Sequence, residues 1–304
     1  MLDILIIGGG PAAMTAALYS LRSGRTVKLI EKEAFGGQIA TSPRVENIPS
    51  IASISGLDYA NQLFEQISEL GADFDMDEAN SIEKKEDGNF IVHCNYGDYK
   101  ARSVIIAAGV KHRHLGIENE DKYIGKGISF CAVCDGDFFR GQDVMVIGDA
   151  NSALQYAISL SATSRHVDVV TLFDHFFAED ALIKRLRSLD NVSIYHSMES
   201  YSFNGGDKLE SVSFHNKVTG EDVTMKCDGC FVAIGQIPDN ERYSNLVDLD
   251  RGFIVADETM ATRTEGLYVA GDCRVKQIRQ VTTACGDGAI AALSANSYLM
   301  KKGY

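Results

Sequence analysis

Cys131-Ala132-Val133-Cys134-Asp135 is the stretch of this chain best suited to chemistry. Two cysteines at this spacing close readily into a redox disulfide. One sulfur can attack outward while the other resolves inward, and an acid follows at once. A structural zinc site also uses paired cysteines, but no second Cys/His pair has convincing spacing. The seven histidines show no ligand pattern, so no metal is expected. Cys227-Asp228-Gly229-Cys230 contains a turn-like Asp-Gly and opens an apolar strand, so these two are read as structural cysteines. Cys94, Cys273 and Cys285 are read as packing residues.

A redox disulfide needs a source or sink of electrons, and the chain opens on a nucleotide-type pattern. An apolar strand over residues 2–7 runs into Gly8-Gly9-Gly10-Pro11-Ala12-Ala13 and an apolar helix; a second strand ends at Glu31. Gly8 suits the tight turn and Gly10 the close approach of a pyrophosphate. Ala13 suits close helix–strand packing, and Glu31 stands where a ribose-binding acid belongs. A similar strand, 143–147, leads into Gly148-Asp149-Ala150-Asn151-Ser152-Ala153 and a second helix. Apolar strands ending in Ala107-Ala108-Gly109 and Val232-Ala233-Ile234-Gly235 precede polar crossings near 110–118 and 235–241. The expected fold is α/β, with two doubly wound, Rossmann-like, three-layer domains, the second inserted into the first. The expected boundaries are 1–113 and 238–304 for the dinucleotide domain and 117–235 for the domain carrying the cysteine pair. The run Lys84-Lys85-Glu86-Asp87-Gly88 reads as a hairpin turn.

Composition narrows the field. The 304 residues are 45% hydrophobic and 23% charged, as in a globular protein with well-buried cores. No apolar run reaches the ~18 residues needed to span a bilayer. No basic segment precedes Ile4-Leu5-Ile6-Ile7, and an odd cysteine count does not suit a secreted framework, so a cytoplasmic protein is expected. A net charge of −13 disfavours nucleic acid. An acidic protein partner needs a local basic patch; candidates are Lys111-His112-Arg113-His114, Lys184-Arg185 with Arg187, and Arg274 with Lys276.

Taken in order, Gly8-Gly9-Gly10-Pro11-Ala12, Gly36-Gly37-Gln38, Val45-Glu46-Asn47-Ile48-Pro49, Ala107-Ala108-Gly109, Cys131-Ala132-Val133-Cys134-Asp135-Gly136, Gly271-Asp272 and Arg279-Gln280 carry a resemblance. Over essentially its whole length the chain resembles the low-molecular-weight thioredoxin reductases. The resemblance implies a homodimer, FAD in the first domain and a redox pair in the second. It implies that Gly8, Gly10 and Glu31 hold the adenosine half of FAD, with Gln38 and Asn47 near the isoalloxazine. Asp272 would bond the ribityl–phosphate region, and Arg279 and Gln280 would sit beside the pyrimidine end. Pro11, Ala12, Gly37, Ala108 and Gly109 belong to the same expected cofactor site. Cys134 would face the flavin, Cys131 would attack thioredoxin, and Asp135 would serve as general acid–base.

One motif departs from the family. Its pyridine-nucleotide site usually reads Gly-x-Gly-x-x-Ala, then His-Arg-Arg and a further Arg. Here Asp149 and Ala150 interrupt the first part, and Leu172, Phe173 and Phe177 stand at the arginine positions. No aligned cation remains for a 2′-phosphate. The chain therefore looks like the ferredoxin-dependent flavin thioredoxin reductases, which take electrons from reduced ferredoxin. Competing expectations are a dithiol oxidase of the same fold, an NAD(P)H-dependent thioredoxin reductase with an atypical site, and a non-enzymatic flavin redox sensor.

Overall fold

The computed structural model describes residues 1–42 and 44–304. The chain divides into two compact units, Met1–Lys111 with Ile237–Tyr304, and His112–Gln236. The breaks fall within a few residues of the expected crossings.

The first unit begins β1 (Leu2–Ile7), α1 (Pro11–Arg22) and β2 (Val27–Glu31), followed by α2 (Gly56–Glu69). Four strands complete this part: β3 (Asp73–Met76), β4 (Ala79–Lys84), β5 (Phe90–Cys94) and β6 (Asp98–Ile106). The strands order as β3-β2-β1-β6-β5-β4. Those from β3 to β6 are parallel, whereas β4, β5 and β6 form an antiparallel meander. Lys84 to Gly88 is the turn between β4 and β5, as its composition predicts.

Along β1 the side chains alternate between two cores, and both sets are apolar. Ile4 and Ile6 pack with Ala13, Ala16 and Ala17 of α1; Leu5 and Ile7 pack with Val104, Ile106 and Phe90. A strand covered on both faces reads as a continuous apolar run, which is what makes this sheet the middle of three layers.

The second unit holds β7 (Ile128–Ser129), α3 (Ala132–Asp135), β8 (Asp143–Ile147), α4 (Asn151–Ser161), β9 (His166–Val170), α5 (Asp180–Arg187) and β10 (Val192–Tyr195). A meander of β11 (Met198–Gly205), β12 (Leu209–Asn216) and β13 (Asp222–Lys226) follows, then β14 (Gly229–Val232). The parallel sheet orders as β10-β9-β8-β14-β7. Ala153, Leu154 and Ala157 of α4 cover one face; Phe203, Val212 and Phe214 of the meander cover the other. In each unit an antiparallel meander takes part where a uniformly doubly wound fold would have more helix.

The chain returns to the first unit with β15 (Leu267–Val269), parallel to β6, and ends in α6 (Val281–Lys301). α6 packs tightly on α1. A Cβ built on Gly288 would lie 2.2 Å from the Ala12 carbonyl oxygen, so only glycine permits that approach. No helix among the described residues is long and apolar enough to cross a membrane.

Candidate active site

In the first unit, the β1–α1 turn makes a cradle. Gly8 has φ +120°, and a Cβ there would lie 2.3 Å from the Ala107 carbonyl oxygen, so the turn demands glycine. At Gly10 the same addition would meet only the Gly37 Cα, at 3.8 Å. Gly10 is the N-cap of α1 and gives it no side-chain cap; Pro11 follows, with no acid in the first turn. The first-turn N–H groups and the helix dipole therefore face open ground suited to a pyrophosphate.

Glu31, at the end of β2, lines a cavity with Gly8, Ala108, Gly109 and Lys111, and its carboxylate accepts the Glu33 N–H at 2.9 Å. Gln38 Nε2 donates to the Val110 carbonyl. Asn47 Nδ2 donates to Gln280 Oε1 at 3.0 Å, and Gln280 forms a capping box with Thr283 at the start of α6. Asp272 Oδ1 is buried without a partner among the described residues. Burial raises its carboxyl above the ordinary range, against Lys276 and Arg279, which lower it. Arg279 Nε donates to the Asp272 carbonyl at 3.2 Å, and its guanidinium lies 4.3 Å from the centre of the Phe253 ring. An orphaned carboxylate oxygen, a glycine-lined helix start and a strand-end acid fit a dinucleotide that also carries a hydroxylated chain.

In the second unit, Cys131 and Cys134 form a disulfide with Cα atoms 5.3 Å apart. Cys131 is the N-cap of α3, and its Sγ accepts the Cys134 N–H at 3.2 Å. Val133, between the two, is 62% exposed, so the bridge lies at a solvent-facing turn. Asp135 is mostly buried; burial raises its carboxyl above the ordinary range, and a hydrogen bond from Ser129 lowers it. Ser129 Oγ donates to Asp135 Oδ2 at 2.6 Å and accepts the Cys131 N–H at 3.0 Å. Asp135 Oδ1 is buried with no partner among the described residues. Sequence reasoning missed Ser129. Its signal was a hydroxyl two residues before a helix cap, a usual place for a local side chain-to-backbone bond.

The second strand–helix turn keeps the shape of the first and carries larger side chains. Gly148 has φ +154°, and a Cβ there would lie 2.5 Å from the Ala233 carbonyl oxygen. Ala150 then caps α4, with Asp149 before it. Phe177 crosses this end: its N–H bonds the Asp149 carbonyl at 2.8 Å, and it bridges Ala150. Asn151 and Glu179 exchange two hydrogen bonds beside it. Leu172, Phe173 and Phe177 are exposed, and the Phe173 and Phe177 rings meet edge to face at 5.1 Å.

The candidate basic patches fare differently. Arg274 and Lys276 are not available for docking: both bond the Asp287 carboxylate, Lys276 Nζ at 2.7 Å, and the Lys276 side chain is only 7% exposed. Lys111 pairs with Glu33 at 2.6 Å. Lys184, Arg185 and Arg187 on α5, and Arg113, are exposed with no ion pair among the described residues. Cys227 and Cys230 are buried, and burial pushes the Cys227 thiol up to about 12 and Cys230 well above its ordinary value, so both are inert at neutral pH. Cys273 is fully buried and donates to the Ala270 carbonyl at 3.3 Å.

Two nucleotide-type turns, together with a Cys-x-x-Cys disulfide beside a half-satisfied acid, define a flavin disulfide oxidoreductase. Residues 2–288 match the family model described as pyridine nucleotide-disulphide oxidoreductase. Thioredoxin reductase from Bacillus subtilis is 36% identical over 301 residues, covering 98% of this chain and 94% of that protein. A Clostridium pasteurianum protein described as a 34.2 kDa protein in a rubredoxin operon is 38% identical over 301 residues, covering 98% of this chain and 97% of its own length. The crystal structure of thioredoxin reductase from Streptococcus pyogenes superimposes with a TM-score of 0.95 at 37% identity, covering 99% of each chain. The chain belongs to the pyridine nucleotide-disulphide oxidoreductases, within the thioredoxin reductase family.

Proposed function

We propose that this chain is a cytoplasmic, homodimeric, FAD-dependent reductase of thioredoxin that draws its electrons from reduced ferredoxin. The observation that carries the disulfide chemistry is the Cys131–Cys134 bridge at an exposed turn, with Asp135 held beside it. Cys131 is the attacking thiol, because its sulfur accepts the Cys134 N–H, a bond that favours the thiolate. Cys134 resolves the mixed disulfide, and Asp135 moves the proton. FAD is held by Gly8, Gly10, Pro11, Ala12, Glu31 and Gly37 at its adenosine and pyrophosphate end, with Ala108 and Gly109 beside them. Gln38, Asn47, Asp272, Arg279 and Gln280 hold the flavin end, with Asp272 Oδ1 accepting from a ribityl hydroxyl. When bound, FAD supplies the site where single electrons are collected into the pair that opens a disulfide.

The choice of donor rests on the side chains at the turn of the second unit. A pyridine nucleotide needs its pyrophosphate at the α4 start, where Asp149, Ala150 and the Phe177 strand segment stand. A second reading, NADPH as donor, is favoured by one observation: α4 still begins without a side-chain cap. Anaerobic addition of NADPH, NADH or reduced ferredoxin, each alone, separates the two. Bleaching of the flavin absorbance by ferredoxin only is expected; rapid stoichiometric bleaching by NADPH overturns the choice. The exposed cations of α5 and Arg113, without an ion pair among the described residues, replace Arg274 and Lys276 as the docking candidates. Charge reversal at Lys184, Arg185 and Arg187 should lower the ferredoxin association rate and leave dithionite reduction unchanged.

A further inference from the structure

We infer that Ser129 is a positioning residue for the disulfide chemistry: its single hydroxyl fixes the Asp135 carboxyl so that Oδ1 alone is left to carry the exchanging proton. The inference rests on the proposed role of Asp135 as acid–base.

The geometry assigns each atom one task. Ser129 ends β7 and is 6% exposed. Its oxygen accepts from the Cys131 N–H, which ties it to the first residue of the redox loop. Its one proton goes to Asp135 Oδ2 at 2.6 Å, short for a neutral pair and suited to a carboxylate acceptor. The contact with the Cys131 carbonyl, at 3.4 Å, is too long to compete for that proton. Oδ2 is thereby committed and Oδ1, buried with no partner among the described residues, is the oxygen free to bind or release a proton.

Other ionisable groups near the loop do not share this work. Tyr156 on α4 donates its hydroxyl to the Phe130 carbonyl at 3.3 Å. Asp137, past α3, is exposed and paired with Arg140. His112 and His114 lie against the Phe130 ring, each 5.0 Å between centres, and burial holds His112 neutral, down to about 4.

In the exchange, the Cys131 thiolate attacks the thioredoxin disulfide. One S–S bond forms between the proteins, one breaks within thioredoxin, and the departing sulfur takes the proton from Asp135 Oδ1. The Cys134 thiol then gives its proton to Asp135 and attacks Cys131. This re-forms the enzyme disulfide and releases the second thioredoxin sulfur. Two electrons pass from the enzyme to thioredoxin; one proton passes by way of Asp135, and the second thioredoxin sulfur leaves as a thiolate that takes its proton from water. Ser129 stays bonded to Oδ2 throughout and stabilises the carboxylate between the two transfers.

The test is the rate at which pre-reduced enzyme is reoxidised by thioredoxin, followed against pH for the native chain, Ser129→Ala, Ser129→Thr and Asp135→Asn. Losing a donor to a carboxylate raises its pKa. Ser129→Ala should therefore move the carboxyl-dependent limb of the profile upward by about one pH unit, and Ser129→Thr should restore it. A loss in Ser129→Ala that is equal at every pH, or that Thr does not rescue, overturns the inference and leaves Ser129 a structural residue. If Asp135→Asn keeps the native profile, the acid–base role of Asp135 fails instead. A limb abolished in Asp135→Asn but unmoved in Ser129→Ala keeps that role and rejects the positioning. Should Ser129→Ala fold poorly, Ser129→Cys, which keeps the volume and weakens the donor, must give a shift of the same sign.

Discussion

The two strand–helix turns share one residue and differ in nearly everything after it. Gly8 and Gly148 both sit at positive φ with a backbone carbonyl where a side chain would go. Each helix then starts from an extended residue with no side-chain cap, Gly10 in one and Ala150 in the other. Each turn is also crossed by one backbone bond at 2.8 Å, from the Gly36 N–H to the Gly9 carbonyl and from the Phe177 N–H to the Asp149 carbonyl, so the difference lies in side chains: glycines in the first, Asp149, Ala150 and Phe177 in the second. The first glycine is a demand of the fold, because the chain cannot turn against the neighbouring strand without it. The later small residues are a demand of a bound pyrophosphate, and there the two sequences differ while the architecture stays.

The largest effects should come from testing that division directly. Gly8→Ala and Gly148→Ala each force a β-carbon into a carbonyl oxygen at positive φ, and each should destabilise its unit by about 3 kcal/mol or more. Gly10→Val should leave the urea midpoint of the apoprotein nearly unchanged, since its nearest neighbour is 3.8 Å away from an added Cβ. It should nevertheless remove most of the flavin from the purified protein. Ala150→Val should change neither. Flavin loss in Ala150→Val, or full retention in Gly10→Val, would reverse the roles given to the two turns.

A second set of variants asks whether the side chains of the second turn decide the donor. Asp149→Ser with Ala150→Gly, Leu172→Arg, Phe173→Arg and Phe177→Arg restores a small residue and three phosphate partners. Anaerobic NADPH should then reduce the flavin at least ~10-fold faster than in the native chain, since each phosphate contact contributes roughly 1 kcal/mol or more. An unchanged rate would mean that these five side chains are not what limits reduction by NADPH.

The smallest effect concerns stability and pH. Burial holds the folded Asp135 carboxyl above its unfolded value, near 3.8. Between those two values the folded chain keeps a proton that the unfolded chain has released. Stability therefore falls as pH rises through that window, and the cost is fully present only above it. Asp135→Asn should raise the thermal midpoint at pH 7, with a gain that shrinks as the pH drops below the window. A midpoint equal to that of the native chain across the whole range would show that Asp135 is solvated in solution.

Much of this was legible in the residues. Both turns, the insertion of one unit into the other and the Cys131–Cys134 pair were marked by local patterns, because glycine at a tight turn and cysteines three apart have few other uses. Three things were not legible. The meander of the second unit was hidden because strands such as β11 and β12 have mixed polarity. Ser129 was hidden because its partners, Cys131 and Asp135, reach it only once β7 ends where it does. The fate of Arg274 and Lys276 was hidden because Asp287 lies 13 and 11 positions away, and composition cannot reveal which carboxylate a cation will meet. A charge cluster in sequence and an exposed charge in space are different quantities.

That last triad has a consequence for assembly. Asp287, on α6, also accepts the Gly271 N–H at 3.2 Å, so one buried carboxylate gathers the start, middle and end of the segment bearing Asp272. The loop is thereby shaped by the protein's own groups before any cofactor arrives. Its ordering entropy has already been met by folding, and cofactor affinity is not diminished by it. Apoprotein stripped of flavin should keep a preformed seat, and reloading should resemble simple second-order capture with no slow ordering phase behind it.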